Sequence, residues 1–208
     1  MIDTTTLFTY TIIALGFAFL PGPATLLTIT RAASSGTKIG IATSIGIAAG
    51  DLIHTVMAIV GISAIIATSA LLFSIIKYLG AAYLVYLGVR SILEKTATDL
   101  ISGSLQISAT KAFQQGFWTE VLNPKTALFF LAFLPQFVQP VSGSVAIQLG
   151  VLGAIYVLFG LIATVVASIS AGSLGRFLRR NPEILKWQGK VVGSVYCALG
   201  VRIALEER

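Results

Sequence analysis

The sequence predicts an all-α membrane protein in which six transmembrane helices form two inverted three-helix repeats, within one domain over residues 1–208. Three observations predict it: the composition, the number of long apolar stretches, and a motif that occurs twice. Hydrophobic residues make up 56% of the chain and charged residues only 11%. A soluble fold cannot cover its surface with so few charges, so lipid is expected to be the solvent of most of the chain.

Six stretches are long enough to cross the hydrocarbon core of a bilayer, which requires about 20 apolar residues per helix. The second contains no proline, and its glycines fall at helical spacing, which favours one long tilted helix. Polar loops are predicted over Glu94–Lys111 and over Arg176–Gly189, the latter with a turn at Asn181-Pro182. The six predicted spans are Thr5–Thr30, Ile39–Ala67, Leu71–Ile92, Phe113–Val138, Val145–Ala171 and Lys190–Leu205.

Positive charges are unevenly divided among the loops. Lysine and arginine cluster in the first, third and fifth loops and are nearly absent from the second and fourth. The positive-inside rule therefore predicts a multi-pass protein with the odd loops in the cytoplasm and both termini outside. The same distribution accounts for the net charge of +6. A nucleic-acid partner is not predicted, because the sequence has no basic helix with aromatic residues on which bases could stack. A single cysteine, Cys197, excludes a disulfide framework.

The third and sixth spans share the pattern K-x-x-G-x-x-Y followed by L-G-V-R, which begins at Lys77 and at Lys190. Abundant glycine does not explain why Lys, Tyr and Arg recur in the same order. We therefore predict one repeat over about residues 5–95 and a second over about 111–206. Three spans are an odd number, so the second repeat enters the membrane inverted, as in alternating-access carriers. A glycine pair supports the match, with Gly36 and Gly46 corresponding to Gly143 and Gly153.

The first span is interrupted by Pro21-Gly22-Pro23. Each proline removes a backbone donor, and together they are expected to free the carbonyls of Phe17 and Phe19. A free carbonyl in hydrocarbon has to face protein, water or a ligand.

The fourth span is interrupted at Asn123-Pro124, where Asn123 is predicted to cap a half-helix that begins at Pro124. Gly/Pro breaks in corresponding spans indicate the binding site of a transporter, and the alternative is a pair of ordinary kinks.

Charged residues inside the spans are the next candidates for the site. Lys125 lies at the start of the predicted half-helix, where the helix dipole also favours an anion; Glu120, Asp51 or a substrate carboxylate would serve. The alternative for Lys125 is snorkelling toward the membrane interface.

Asp51 and His54 are three residues apart and share a helix face, which is compatible with proton coupling, with amine recognition, or with a purely structural pair. A metal site is not predicted, because too few ligands converge. Two glycine pairs, Gly36/Gly40 and Gly46/Gly50, predict close helix packing.

Four motifs together resemble the lysine-exporter superfamily, in particular its homoserine/threonine-exporter branch. They are Phe19–Pro23, Gly46–His54, Leu79–Leu84 and Leu122–Lys125, and the likeness extends from about Leu7 to Leu205. The resemblance implies export of amino acids or close derivatives across the inner membrane by proton antiport, often as a homodimer. It also implies a site that contains Pro21, Gly22, Pro23, Asp51, His54, Asn123, Pro124 and Lys125.

The prediction is therefore a secondary exporter that uses the proton gradient and no cofactor, and that is not an enzyme. We expect the substrate carboxylate to contact Lys125 and its ammonium to contact the freed carbonyls or Asp51, which also exchanges the proton. One alternative is a cation exporter of the same superfamily. Another is a membrane-embedded enzyme, for which His54 lacks a neighbouring nucleophile motif.

Overall fold

The computed structural model describes residues 2–20, 22–68, 70–93, 107–180 and 182–205, and no strand occurs within these ranges. The predicted all-α class is confirmed. The helices are α1 (Thr4–Phe19), α2 (Pro23–Ser35), α3 (Thr37–Thr68), α4 (Ala70–Leu93), α5 (Ala109–Val121), α6 (Pro124–Leu128), α7 (Val145–Arg180) and α8 (Pro182–Leu205). Between α6 and α7 the chain forms a π-helical turn over Phe129–Phe133 and 3₁₀ turns over Leu134–Phe137 and Pro140–Ser142.

Length and hydropathy identify candidate membrane spans among the described helices. Thr37–Ser63 and Val145–Ala171 are each long and apolar enough to cross a bilayer. The pair α1 and α2, bent by 49° at the proline break, provides a third candidate if it is one span. The arrangement of six spans therefore stays a prediction.

The connections differ from the sequence-based expectation at one place. The described residues of Arg176–Gly189 are helical, because α7 continues to Arg180 and α8 begins at Pro182, so the predicted loop is wrong for them; residue 181, in the predicted turn, lies outside the described part of the chain. A proline at the first position of a helix has no donor to lose, which lets α8 begin at once. Of the predicted loop Glu94–Lys111, residues 94–106 lie outside the described part of the chain, and Lys111 lies in the first turn of α5.

Helices α3 and α7 pack against each other in opposite directions. A Cβ added to Gly153 would lie 2.4 Å from the Thr55 side chain, and at the other end the hydroxyls of Ser44 and Ser168 are 3.2 Å apart. The beginning of α3 thus contacts the end of α7, and later residues of α3 contact the beginning of α7, so the two helices are antiparallel.

Helices α4 and α8, which carry the repeated motif, are also antiparallel. Gly88 and Gly193 approach so closely that a Cβ on either would lie within 2.6 Å of the other's carbonyl oxygen. Farther along α8, the Cys197 thiol lies 3.7 Å from the carbonyl oxygen of Val85. These contacts require small residues at the crossing.

Two other helix pairs, α1 with α7 and α3 with α5, are parallel. The Tyr10 hydroxyl of α1 donates to the Leu152 carbonyl of α7 at 2.7 Å, and the Phe17 and Tyr156 rings follow one to two turns later. Helix α5 runs alongside α3 in the same way. A Cβ on Gly46 would lie only 2.1 Å from the Phe113 carbonyl oxygen, so the predicted packing role of this α3 glycine face is confirmed.

Gly36 was expected to pack, but a Cβ added there would meet nothing within 4 Å. It instead follows the end of α2 with a φ of 95°, a conformation that glycine adopts without strain. Gly143, its counterpart in the predicted repeat, has a φ of 133° and comes just before α7. No other described residue has a positive φ.

Candidate functional site

The two helix breaks meet at one side chain. The ammonium of Lys125, in α6, donates to the Phe17 carbonyl at 3.1 Å and to the Leu20 carbonyl at 2.9 Å. The expectation for Phe17 is therefore correct, but the second carbonyl belongs to Leu20 and not to Phe19. Leu20 ends α1 in an extended conformation, with φ −68° and ψ 113°, because a residue before proline avoids the helical region. Its carbonyl thereby leaves the helical hydrogen-bond ladder.

Lys125 is enclosed. Its side chain is 9% exposed, its Nζ lies 4.8 Å from the centre of the Phe17 ring, and a Cβ on Gly22 would lie 3.4 Å from its Cδ. The snorkelling alternative is wrong, because the ammonium points at buried carbonyls of the first break. Pro21 lies outside the described residues, whereas Gly22 precedes α2 and Pro23 opens it.

The second break is organised by Asn123. Its side-chain oxygen accepts a hydrogen bond from the Lys125 amide at 3.0 Å, so the predicted cap is confirmed, with Pro124 at the first helical position. Its amide nitrogen donates to the Glu120 carboxylate at 3.2 and 3.3 Å. The Thr126 hydroxyl donates to the same carboxylate. Glu120, which is 3% exposed, is therefore held by both sides of the break.

Asp51 faces this cluster from α3. It is 2% exposed, and its Oδ1 has no hydrogen-bond partner. Asp51, Glu120 and Lys125 line the same small cavity, so the charges of the two acids act on each other and on the ammonium. One proton held by the two acids would leave them a single negative charge, which would balance the buried ammonium.

His54 has a different environment from Asp51, although they share a helix face. Its Nε2 is 3.0 Å from the backbone carbonyl oxygen of Glu120, and its ring stacks on Phe130 with centroids 5.8 Å apart. These contacts favour the structural interpretation of His54, which anchors α3 to the end of α5.

A cavity of about 30 Å³ lies between the two breaks. This volume holds about one water molecule, whereas pockets for small-molecule ligands typically enclose about 300 Å³ or more. The site is therefore closed around a water-sized space. Its lining consists of Ala18, Gly22, Ala24, Thr25, Ile47, Asp51, Glu120, Asn123, Lys125, Thr126, Tyr156, Gly160 and Thr164.

Sequence reasoning missed the hydroxyl residues of this lining. Thr126 follows Lys125 in the half-helix, and its position one turn beyond the Asn123 cap was an available signal. Thr164 and Tyr156 come from α7, and nothing in their local sequence distinguishes them from other residues of an apolar helix.

Comparison with known proteins gives one family and several full-length relatives. A family model described as LysE type translocator matches residues 15–207. A Vibrio cholerae protein named "uncharacterized membrane protein" is 32% identical over 195 residues, which cover 94% of each chain. The Bacillus subtilis "uncharacterized membrane protein YrhP" is 32% identical over 208 residues, or 96% of this chain and 98% of the relative.

A Salmonella typhimurium protein named "homoserine/homoserine lactone efflux protein" is 27% identical over 197 residues, which cover 95% of each chain. No solved structure matches the chain.

Proposed function

The chain belongs to the LysE-type translocator family of membrane proteins, and we propose that it exports amino acids or close derivatives across the bacterial inner membrane in exchange for protons. One observation carries this proposal: both helix breaks converge on Lys125, beside a buried pair of acids. The relative named for homoserine and homoserine lactone efflux supports the substrate class.

We further propose six spans in two inverted repeats, with both termini outside and a homodimer in the membrane. The antiparallel packing of α3 with α7 and of α4 with α8 supports the inversion, because a two-fold axis in the membrane plane reverses equivalent helices. The positive φ of both Gly36 and Gly143, each just before the second long helix of its half, is a further support.

In the proposed mechanism Lys125 recognises the substrate carboxylate. The ammonium of the substrate then takes the place of Lys125 at the carbonyls of Phe17 and Leu20, which already accept from a cation in the closed site. The exchange keeps every buried polar group paired, since one ammonium replaces another and the released Lys125 acquires a carboxylate.

Asp51 and Glu120 are proposed to hold the exchanged proton. One proton on the pair balances the ammonium of Lys125, whereas without it two negative charges face one ammonium in the same small cavity. A buried net charge is strongly unfavourable, so proton binding at the pair is coupled to closure of the site.

The substitution Asp51→Asn tests this role. Asparagine is almost the same size but cannot exchange a proton, so we expect proton-driven net efflux from proteoliposomes to fall at least tenfold while substrate–substrate exchange continues. Asp3→Asn removes an exposed carboxylate outside the cavity lining and serves as the control. Unchanged net efflux in Asp51→Asn would remove Asp51 from the proton path.

The substrate class is tested by loading proteoliposomes with a panel of amino acids, including homoserine and its lactone, and imposing a proton gradient. We expect release of at least one amino acid and proton movement in the opposite direction. Release of a divalent cation, with no amino acid released, would favour the cation exporter and contradict the proposal.

A further inference from the structure

A second and much larger cavity lies between α2 and α5. It is an open groove of about 530 Å³, within the range of small-molecule sites. One wall is formed by Leu27 and Arg31 of α2, and the other by a face of α5 that consists of Lys111, Gln114, Gln115, Trp118 and Thr119. We call this the outer groove, because it is open at the protein surface whereas the cavity beside Lys125 is buried.

The outer groove carries two cations and no acid among its lining residues. Two of its lining residues also have a buried polar atom without a hydrogen-bond partner, the Nε donor of Arg31 and the Oε1 acceptor of Gln115. An unpaired buried donor or acceptor costs about 1–3 kcal/mol, so a ligand that pairs both atoms once these two side chains turn toward the groove is favoured. Such a ligand must combine an acceptor, best an anion, with a donor.

The groove follows the same two helices that lead to the buried site. Along α2, Thr25 lines the closed cavity and Arg31 lines the groove, and along α5 the neighbours Glu120 and Thr119 do the same. At 1.5 Å per residue, Arg31 lies about 12 Å along the helix from the break at Pro23. Arg31 lies near the end of α2 and Lys111 in the first turn of α5, beside the connections that the charge distribution assigns to the cytoplasm.

We propose that the outer groove is a first binding site for the head group of the exported amino acid, on the cytoplasmic path to Lys125. The substrate carboxylate accepts from Arg31, with Lys111 adding positive potential, and its ammonium donates to Gln115 Oε1. This inference rests on the proposed function. It adds that the carboxylate and ammonium of the substrate are bound in the groove before the buried site opens.

Arg31→Gln tests the site with two substrates that differ in one group. Homoserine has a carboxylate, whereas its lactone keeps the ammonium but has none. We expect the KM for homoserine efflux to rise about tenfold in Arg31→Gln, as for the loss of one hydrogen bond to a charged group, with the maximal rate within twofold. The KM for the lactone should change less than twofold. Lys38→Gln removes an exposed cation in the first turn of α3, outside the groove lining, and should change neither KM.

A binding measurement separates this site from transport itself. The chain has two tryptophans, and in a Trp187→Phe background Trp118 alone reports from the groove. Homoserine added to the purified protein should change Trp118 fluorescence, with an apparent Kd about tenfold weaker in Arg31→Gln. Titrating the protein with phosphatidylethanolamine in place of homoserine tests whether the groove binds a lipid head group, which also contains an anion and an ammonium.

The outcomes are distinct. If the wild type exports homoserine but Arg31→Gln leaves both its KM and the Trp118 response unchanged, the groove site is wrong and the exporter stands. A Trp118 response to phosphatidylethanolamine that homoserine does not reverse would also overturn the groove site. If no amino acid is exported by the wild type, the proposed function fails, and the groove inference fails with it. If the wild type exports a different amino acid, that amino acid and its amide replace homoserine and its lactone in both measurements.

Discussion

Replacing Lys125 by methionine is expected to destabilise the fold as well as to stop transport. Methionine is unbranched and of similar length, so the packing against the Phe17 ring is largely kept. What is lost is the ammonium, which donates at 3.1 Å to Phe17 and at 2.9 Å to Leu20. The effect therefore measures the charge that joins the two helix breaks.

The magnitude follows from the two bonds. A hydrogen bond to a charged group contributes about 1.5–3 kcal/mol, so two of them give about 3–6 kcal/mol. The buried ammonium itself is costly to desolvate, which moves the expected loss toward the lower value. The acids Asp51 and Glu120, which line the same cavity, also lose their counter-charge. We expect Lys125→Met to lower the free energy of unfolding by about 3 kcal/mol.

Equilibrium unfolding in mixed micelles measures this difference, with Lys38→Met as the matched control, since Lys38 is exposed. The control should change the free energy of unfolding by less than about 0.5 kcal/mol. A double-mutant cycle with Glu120→Gln should show coupling of about 0.5–3 kcal/mol, because the two charges share one site. A loss below about 1 kcal/mol in Lys125→Met, or additive effects in the cycle, would refute this account of the buried cluster.

Two further predictions concern helix packing and the first helix. Gly46→Ala should lower the free energy of unfolding by about 1–3 kcal/mol, because its Cβ would lie 2.1 Å from the Phe113 carbonyl oxygen, whereas Gly61→Ala meets nothing within 4 Å and should stabilise by about 0.5–1 kcal/mol. Equal effects in thermal unfolding would contradict the close approach of α3 and α5. Hydrogen bonds from the side chain and the amide of Thr6 lower the pKa of Asp3 from 3.8 to about 2, so the stabilisation by this cap is present above pH 3.8 and is lost as the pH falls through about 2. Carboxyl NMR of Asp3 measures its midpoint, and a value near 4 would show that the cap does not hold the charge.

Local chemistry made part of the site predictable. A proline has no donor and disfavours a helical residue before it, so the break after Leu20 could be placed from the sequence. Asparagine before proline likewise predicted the cap by Asn123, because the cap depends on residues only two positions apart. Both features need only short-range rules.

The convergence of the two breaks could not be predicted in the same way. Lys125 reaches carbonyls 105 and 108 positions away in the chain, and the sequence left open whether its partner was an acid, a substrate or the interface. The contact of Asp51 with Glu120 depends on the register of α3 against α5. Small residues such as Gly50 predicted that the helices approach, but the position at which they meet follows from the packed backbone: a Cβ on Gly50 would lie 2.7 Å from the Glu120 Cβ.

The small cavity and the contacts of Lys125 support one state of the proposed cycle. The carbonyls that would receive a substrate ammonium are occupied by the protein's own ammonium, and only a water-sized space remains. A carrier has to change conformation without substrate in order to return, and it can do so at low cost only if its buried polar groups stay paired and its buried charge is balanced. Lys125 meets the first condition at Phe17 and Leu20, and the proton that we propose for the two acids would meet the second. Substrate and proton would then act on the same closed state, one by displacing Lys125 and the other by balancing the charge of the acids against the ammonium, and this is the physical basis on which we propose their exchange.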